Sequence, residues 1–263
     1  MPDYSYFVFQ SGVLAFLPAA ASVVAYKLAF TNDITPRMRS CRLMPRFFVM
    51  ATLDSLEDLA VVVASNHASI AVQTLLPQGV LPLTMAFSAC LLRARFHRGQ
   101  LLGAAIILAG VVFVVVPLFT QPPDPSAPAS DSSSSTFFTI VIFAANVPGA
   151  LSSIWKQVSL QRLDMDVFYL NTIITFFQVF INFALSPLNA LPAMGGIALD
   201  QIPNQFQDGA SCLLRRQYML DRYPNCDQVW WRWLLFVTCV FLFNWSILQI
   251  VKFGSASFMY GFP

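Results

Sequence analysis

Charge is what this 263-residue sequence has least of: 15 Lys and Arg, 13 Asp and Glu, and 2 His, so that only 11% of residues are charged. A soluble domain averages about 25%. Hydrophobic residues make up 57%, and the mean hydropathy is +0.63. That is too little polar surface to coat a water-soluble globule, so the composition describes an integral membrane protein. The net charge of +2 excludes a basic nucleic-acid binder. The N-terminus, MPDYSYF, lacks the basic region of a signal peptide. Also missing are a P-loop, a Rossmann fingerprint, a nucleophile elbow and metal-ligand spacing. No enzyme, cofactor or metal is expected on these grounds.

What the chain does have is long apolar runs. A bilayer core takes roughly 20 apolar residues as a helix. Seven segments qualify or nearly so, at about 5–28, 47–64, 69–92, 99–119, 137–157, 167–190 and 229–252. Membrane strands would alternate in polarity, and these runs do not. The expected fold is therefore all-α, a polytopic transmembrane helix bundle.

The connections alternate in charge. Arg37, Arg39, Arg42 and Arg46 follow the first segment; Arg93, Arg95 and Arg98 follow the third; Lys156 and Arg162 close the fifth, and Lys252 closes the seventh. SNHAS and QPPDPSAPASDSSSST carry no Lys or Arg. Basic loops face the cytosol, which puts the N-terminus on the lumenal or external side. Residues 121–136 form a Pro/Ser-rich linker dividing the chain into halves, 1–120 and 137–263. Loop 191–228 has mixed charge; within it GIALDQIPNQFQDGASCLL reads either as a short amphipathic helix on the membrane surface or as an irregular loop.

Of the five cysteines, Cys41 falls in a basic loop, and Cys90 and Cys239 fall in apolar segments as expected core residues. Cys212 and Cys226 share loop 191–228 on the non-cytosolic side, where a disulfide is permitted. A Cys212–Cys226 bridge is the expectation, with two free thiols as the alternative.

The second segment, FFVMATLDSLEDLAVVVAS, poses the functional question. An Asp at the centre of a membrane helix costs about 2.5–3.5 kcal/mol, and this helix carries Asp54, Glu57 and Asp58. The spacing i, i+3, i+4 puts all three on one face, which must look into the protein or a watery cavity. Such an acidic wall suits proton coupling and cationic substrates. The alternative is structural, with the acids paired to a neighbouring cation such as Lys156.

Segment three adds Gln73, Thr74, Gln78 and Thr84, interrupted by Pro77 and Pro82, as in the broken helices of transporters. Segment six carries Asn171, Thr172, Thr175, Gln178 and Asn182, and segment seven Asn244, Ser246 and Gln249. Polar residues on four helices point to a shared polar cavity. Gly99, Gly103 and Gly110 on segment four make a small-residue face for close packing. Trp230, Trp231 and Trp233 read as an interfacial anchor.

Several stretches together resemble the chloroquine-resistance-transporter-like family of the drug/metabolite transporter superfamily. LLRARFHRGQLLGAAII is similar to that family's fourth helix, basic turn and fifth-helix start, with Gln73, Gln78 and Pro82 at matching positions. Asp54 falls where the family's third helix has an Asp, MDVFYLNTIITFFQVF resembles the start of its seventh helix, and DGASCLL…NCDQVW resembles its lumenal cysteine loop. The resemblance implies a ten-helix fold of two inverted five-helix repeats, of which seven helices, the second to the eighth, are present here. The linker then falls where the repeats join. The missing first, ninth and tenth helices imply a truncated reading frame, with a genuine short form as the alternative. The family loop has two disulfides, and this one has residues for one. Glu57 and Asp58 stand at less acidic family positions, so this site is expected to be more negative.

The implied function is transport of small organic solutes, namely amino acids, short peptides or glutathione-like compounds, and cationic drugs, coupled to protons. The implied location is a vacuolar, lysosome-like or plastid membrane. Asp54, Glu57 and Asp58 would form the proton site, and Gln73, Gln78, Asn171 and Gln178 would contact substrate. The partners are then solute, protons and the lipid bilayer, with no nucleic acid, in a monomer or weak dimer. Two other readings compete. One is a non-transporting scaffold. The other is a seven-helix receptor, which the placement of Cys212 and Cys226 in one loop disfavours.

Overall fold

The computed structural model describes residues 5–31, 34–36, 38–65, 75–93, 96–120, 129–190, 200–216 and 224–253. Among these residues the chain is all-α, with eight α-helices and no strand. They are α1 (Ser5–Phe30), α2 (Met44–Ser65), α3 (Val80–Leu92), α4 (Arg98–Thr120), α5 (Ala129–Arg162), α6 (Val167–Leu185), α7 (Ile202–Leu213) and α8 (Val229–Phe253). Short 3₁₀ turns occupy Cys41–Leu43, Leu76–Gly79, Ser186–Ala190 and Pro224–Gln228.

Four stretches are long and apolar enough to cross a bilayer: Gln10–Phe30, Phe137–Arg162, Val167–Leu188 and Cys226–Phe253. Leu76–Leu92 and Arg98–Phe113 are shorter apolar helices. Each of the seven expected segments contains one of the eight α-helices. In α2 the three acids dilute an otherwise apolar helix, and the described part of segment three runs from Leu75 through the Leu76–Gly79 turn into α3. Large apolar side chains point outward throughout, with Phe113 80%, Phe30 75% and Ile106 64% exposed. In water such surface would drive aggregation; in a membrane protein it is the face offered to lipid.

Other expectations shift for local reasons. α5 starts at Ala129, inside the stretch 121–136 expected to be a linker. Loop 191–228 contains α7, so part of it is helical rather than irregular. Cys90 and Cys239 are exposed rather than in the core, because an apolar helix in lipid buries only part of its circumference. A methyl group built on Gly99, Gly103 or Gly110 meets nothing within 4 Å. The small-residue face, which also includes Ala104, Ala105 and Ala109, therefore packs only in part: Ala104 meets Leu81 and Met85, while the three glycines face open space.

The chain divides into two compact units, residues 1–51 with 165–249 and residues 52–164 with 250–263. In the first, α1 packs along α6 and against α7. Asp166 starts α6 by accepting a hydrogen bond from the Tyr169 amide at 3.0 Å, an N-cap that satisfies one of the free donors of the first turn. The same carboxylate accepts from Lys27 Nζ near the end of α1, and Lys27 lies over the Phe168 ring. α7 does not present its apolar face to lipid: Phe206 meets Phe7 of α1 edge-on at 5.9 Å and stacks on Phe183 of α6 at 6.0 Å. Cys212, at the end of α7, is bonded to Cys226, with the Cα atoms 5.2 Å apart.

In the second unit, α3 packs on α5 and α4, and the turn Leu76–Gly79 packs on α4 and α5. Pro82 falls in the first turn of α3, where a missing N–H costs nothing. Pro77 lies within the Leu76–Gly79 turn, which is 3₁₀, and a carbonyl there has a second lone pair for a further donor. Asn146 of α5 supplies one, its Nδ2 donating to Leu76 O at 2.9 Å. Both residues are buried.

Candidate functional site

The second unit holds the acidic residues. Asp54, Glu57 and Asp58 lie on α2, as their spacing requires, and Gln78 lies in the Leu76–Gly79 turn. Asn171 and Gln178 lie on α6 in the other unit. Gln73 lies outside the described residues.

Facing α2 is α5. Lys156 Nζ lies 2.7 Å from Asp54 Oδ2, and the side chains are 21% and 12% exposed. This pair matches the structural alternative named for the acids, and it answers why an apolar helix tolerates Asp54. A buried carboxylate persists when an ammonium and the geometry compensate its desolvation. One ammonium against three carboxylates leaves the face acidic. Two turns before Lys156, on the same side of α5, the helix carries Gly149, and the Glu57 carboxyl group occupies the space a side chain there would fill. Asn146 lies one turn further back and donates to the Leu76–Gly79 turn. Gly79 of that turn is itself close to Asn146 Nδ2, which a Cβ there would meet at 3.2 Å. Ser55, wholly buried beside the acids in sequence, has a hydroxyl with no partner among the described residues.

Asn146 and Gly149 were not among the residues singled out from the sequence. Their signal was available: Asn146, Gly149 and Lys156 recur at helical spacing on one side of this helix. The Lys27–Asp166 pair was also passed over, because both residues sit at segment ends, where charge is unremarked.

The polar stripes of segments six and seven do not all face a cavity. Thr172 Oγ1 donates to Phe168 O at 2.7 Å, Asn244 Nδ2 to Val240 O at 2.9 Å and Ser246 Oγ to Leu242 O at 2.8 Å. Each bonds back to its own helix, the usual refuge of a small polar side chain in lipid. Asn171 differs. It lines a cleft of about 10 Å³, room for about one water, among Phe16, Ala20, Val167, Phe168, Phe241 and Trp245. No group of three or more His, Cys, Asp or Glu among the described residues is placed to hold a metal ion.

An all-α chain whose apolar faces look outward and whose charges are confined to helix ends and one inward acidic face is an integral membrane protein. More closely, the chain belongs to the CRT-like, chloroquine-resistance transporter-like family, whose pattern matches residues 1–260. It is similar to the chloroquine resistance transporter of Toxoplasma gondii, with 28% identity over 272 residues, which is 98% of this chain and 29% of that protein. It is equally similar to Crt homolog 1 of Dictyostelium discoideum, 28% over 279 residues, covering 97% of this chain and 57% of the relative. The chloroplastic protein CLT1 of Arabidopsis thaliana is 25% identical over 266 residues, 97% of this chain and 56% of the relative. The chain thus spans from under a third to somewhat over half the length of these relatives.

Proposed function

We propose that this chain forms part of a proton-coupled transporter of small organic solutes. The observation that carries this reading is the acidic face of α2, set against a single ammonium on α5. Intramembrane carboxylates on an inward face are the usual means of moving protons or cations. The solutes are amino acids, short peptides or glutathione-like compounds, and cationic drugs. Asp54, Glu57 and Asp58 form the proton site, and Gln73, Gln78, Asn171 and Gln178 contact the solute. No chemical step on the substrate is involved, so the protein is not an enzyme, and it acts as a monomer or weak dimer.

The names of the relatives support transport as the class of activity. The name of the Arabidopsis relative places that protein in the chloroplast, which supports a plastid membrane beside a vacuolar or lysosome-like one. The alternation of basic loops supports a cytosolic position for them and a lumenal one for loop 191–228.

The test is transport across a pH gradient by the full-length protein with Asp54→Asn, Glu57→Gln and Asp58→Asn combined. Loss of the pH dependence supports the reading; pH-dependent transport at the normal rate overturns it. The Lys156–Asp54 pair favours a second reading, a membrane scaffold without transport, in which the charges only fasten α2 to α5. In that case the full-length protein moves no solute under any gradient.

A further inference from the structure

The three carboxylates of α2 are not equivalent. Asp54 is bound to Lys156. Glu57 has no ion pair or hydrogen bond among the described residues. It lies instead against the backbone of α5, where a methyl group built on Gly149 would fall on all three atoms of its carboxyl group. Only a residue without a Cβ allows that approach. Glycine is a poor helix former, and here it follows Pro148 in mid-helix, so this point of α5 gives up helix stability twice. Gly103 of α4 makes the contrast, since a methyl there meets nothing.

The charges around Glu57 are few. On its own helix are Asp54 and Asp58; on α5 there is Lys156, engaged with Asp54. The Leu76–Gly79 turn and α3, which pack on α5, carry no acid, lysine, arginine or histidine. The ionisable group at the start of α4 is the exposed Arg98. Asp54 must lose an ammonium before it can take a proton or a cationic solute. Glu57, resting on Gly149, has no hydrogen bond or direct ion pair to break among the described residues.

Resting on the proton-coupled reading above, we propose that Glu57 is the exchangeable carboxylate of this face and that Gly149 is its positioning residue, while Asp54 is held in a fixed pair by Lys156. Asp54 and Glu57 then divide into a fastening and a working group, and a position on a different helix decides where the working group sits.

The experiment uses the full-length protein in phosphatidylcholine vesicles. pH-difference infrared spectra follow the protonated-carboxyl stretch, and uptake of radiolabelled arginine under a pH gradient is measured alongside. The titrating carboxyl band is expected to be lost in Glu57→Gln and displaced in Gly149→Ala. It is expected to return towards its original position in the double variant Gly149→Ala with Glu57→Asp, whose acid is one methylene shorter. Gly103→Ala should leave the band where it is. A band that survives Glu57→Gln and vanishes in Asp54→Asn or in Asp58→Asn overturns the proposal. So does a double variant no closer to the parent than Gly149→Ala alone. Should Gly149→Ala fail to elute as a folded species, the comparison of Glu57→Gln with Asp54→Asn and Asp58→Asn decides. A Glu57 band without any gradient-driven arginine uptake leaves the assignment standing and counts against the transport reading alone.

Discussion

Replacing Lys156 by methionine strands the Asp54 carboxylate. Methionine keeps the length and apolar stem of lysine and removes only the ammonium. The Asp54 side chain is 12% exposed and its partner lies 2.7 Å away, so little water is at hand to take over. Removing one member of a buried pair costs about 3–5 kcal/mol, because the remaining charge is buried and uncompensated. At about 1.4 kcal/mol per tenfold, the folded-to-unfolded ratio falls about a hundredfold or more. Removing both charges, with Lys156→Met and Asp54→Asn together, leaves no stranded charge. It should recover most of the loss, since a buried pair exchanged for neutral groups is often neutral in stability. The assay is equilibrium unfolding in mixed micelles, followed by tryptophan fluorescence, for the parent, both single variants and the double variant. The reasoning is refuted if Lys156→Met costs under about 1 kcal/mol, the range of an exposed pair. It is equally refuted if the double variant is no more stable than the worse single one.

Three further outcomes follow from the packing. Asn146→Ala removes the side-chain donor that ties α5 to the buried Leu76 carbonyl, which should cost about 0.5–1.5 kcal/mol in the same unfolding assay. Reducing the Cys212–Cys226 bond, or replacing either residue by serine, opens a loop of sequence separation 14. The expected loss is about 3 kcal/mol, and the mass after alkylation without reductant should show both thiols protected in the parent. Gly209→Ala places a methyl 2.6 Å from the Phe7 ring, so overpacking should lower stability by about 1–3 kcal/mol. Gly103→Ala, in open space on α4, should instead be neutral or gain up to about 1 kcal/mol from helix propensity.

Much of the fold was legible because a bilayer imposes one rule on every residue of a span. Backbone groups must bond within the segment and side chains must be apolar, so a run such as VWWRWLLFVTCVFLFNWSILQIVKF shows itself as α8. Legibility failed where the rule relaxes. α7 lies in a loop too short and too polar to register as a span, and its apolar face is satisfied by Phe7 and Phe183 rather than by lipid. The polar stripe of segment six looked uniform in sequence. Yet Thr172 bonds to its own helix while Asn171 lines a cleft, and spacing cannot distinguish a hydroxyl that turns back from an amide that points away.

By itself the sequence determined that this is an all-α membrane protein, and that Asp54, Glu57 and Asp58 share a face of one helix. Both follow from composition and from the period of 3.6, which are local properties. It offered Lys156 as a possible counter-ion but not which acid would take it. Only the tertiary structure decided that Asp54 takes the ammonium, that Glu57 rests on Gly149, and that Asn146 donates to the Leu76 carbonyl. Each of these joins residues 70 or more positions apart, and each depends on how two elements are turned towards one another. Helix rotation and depth are set by the packing of whole faces, and no single stretch of the chain encodes them.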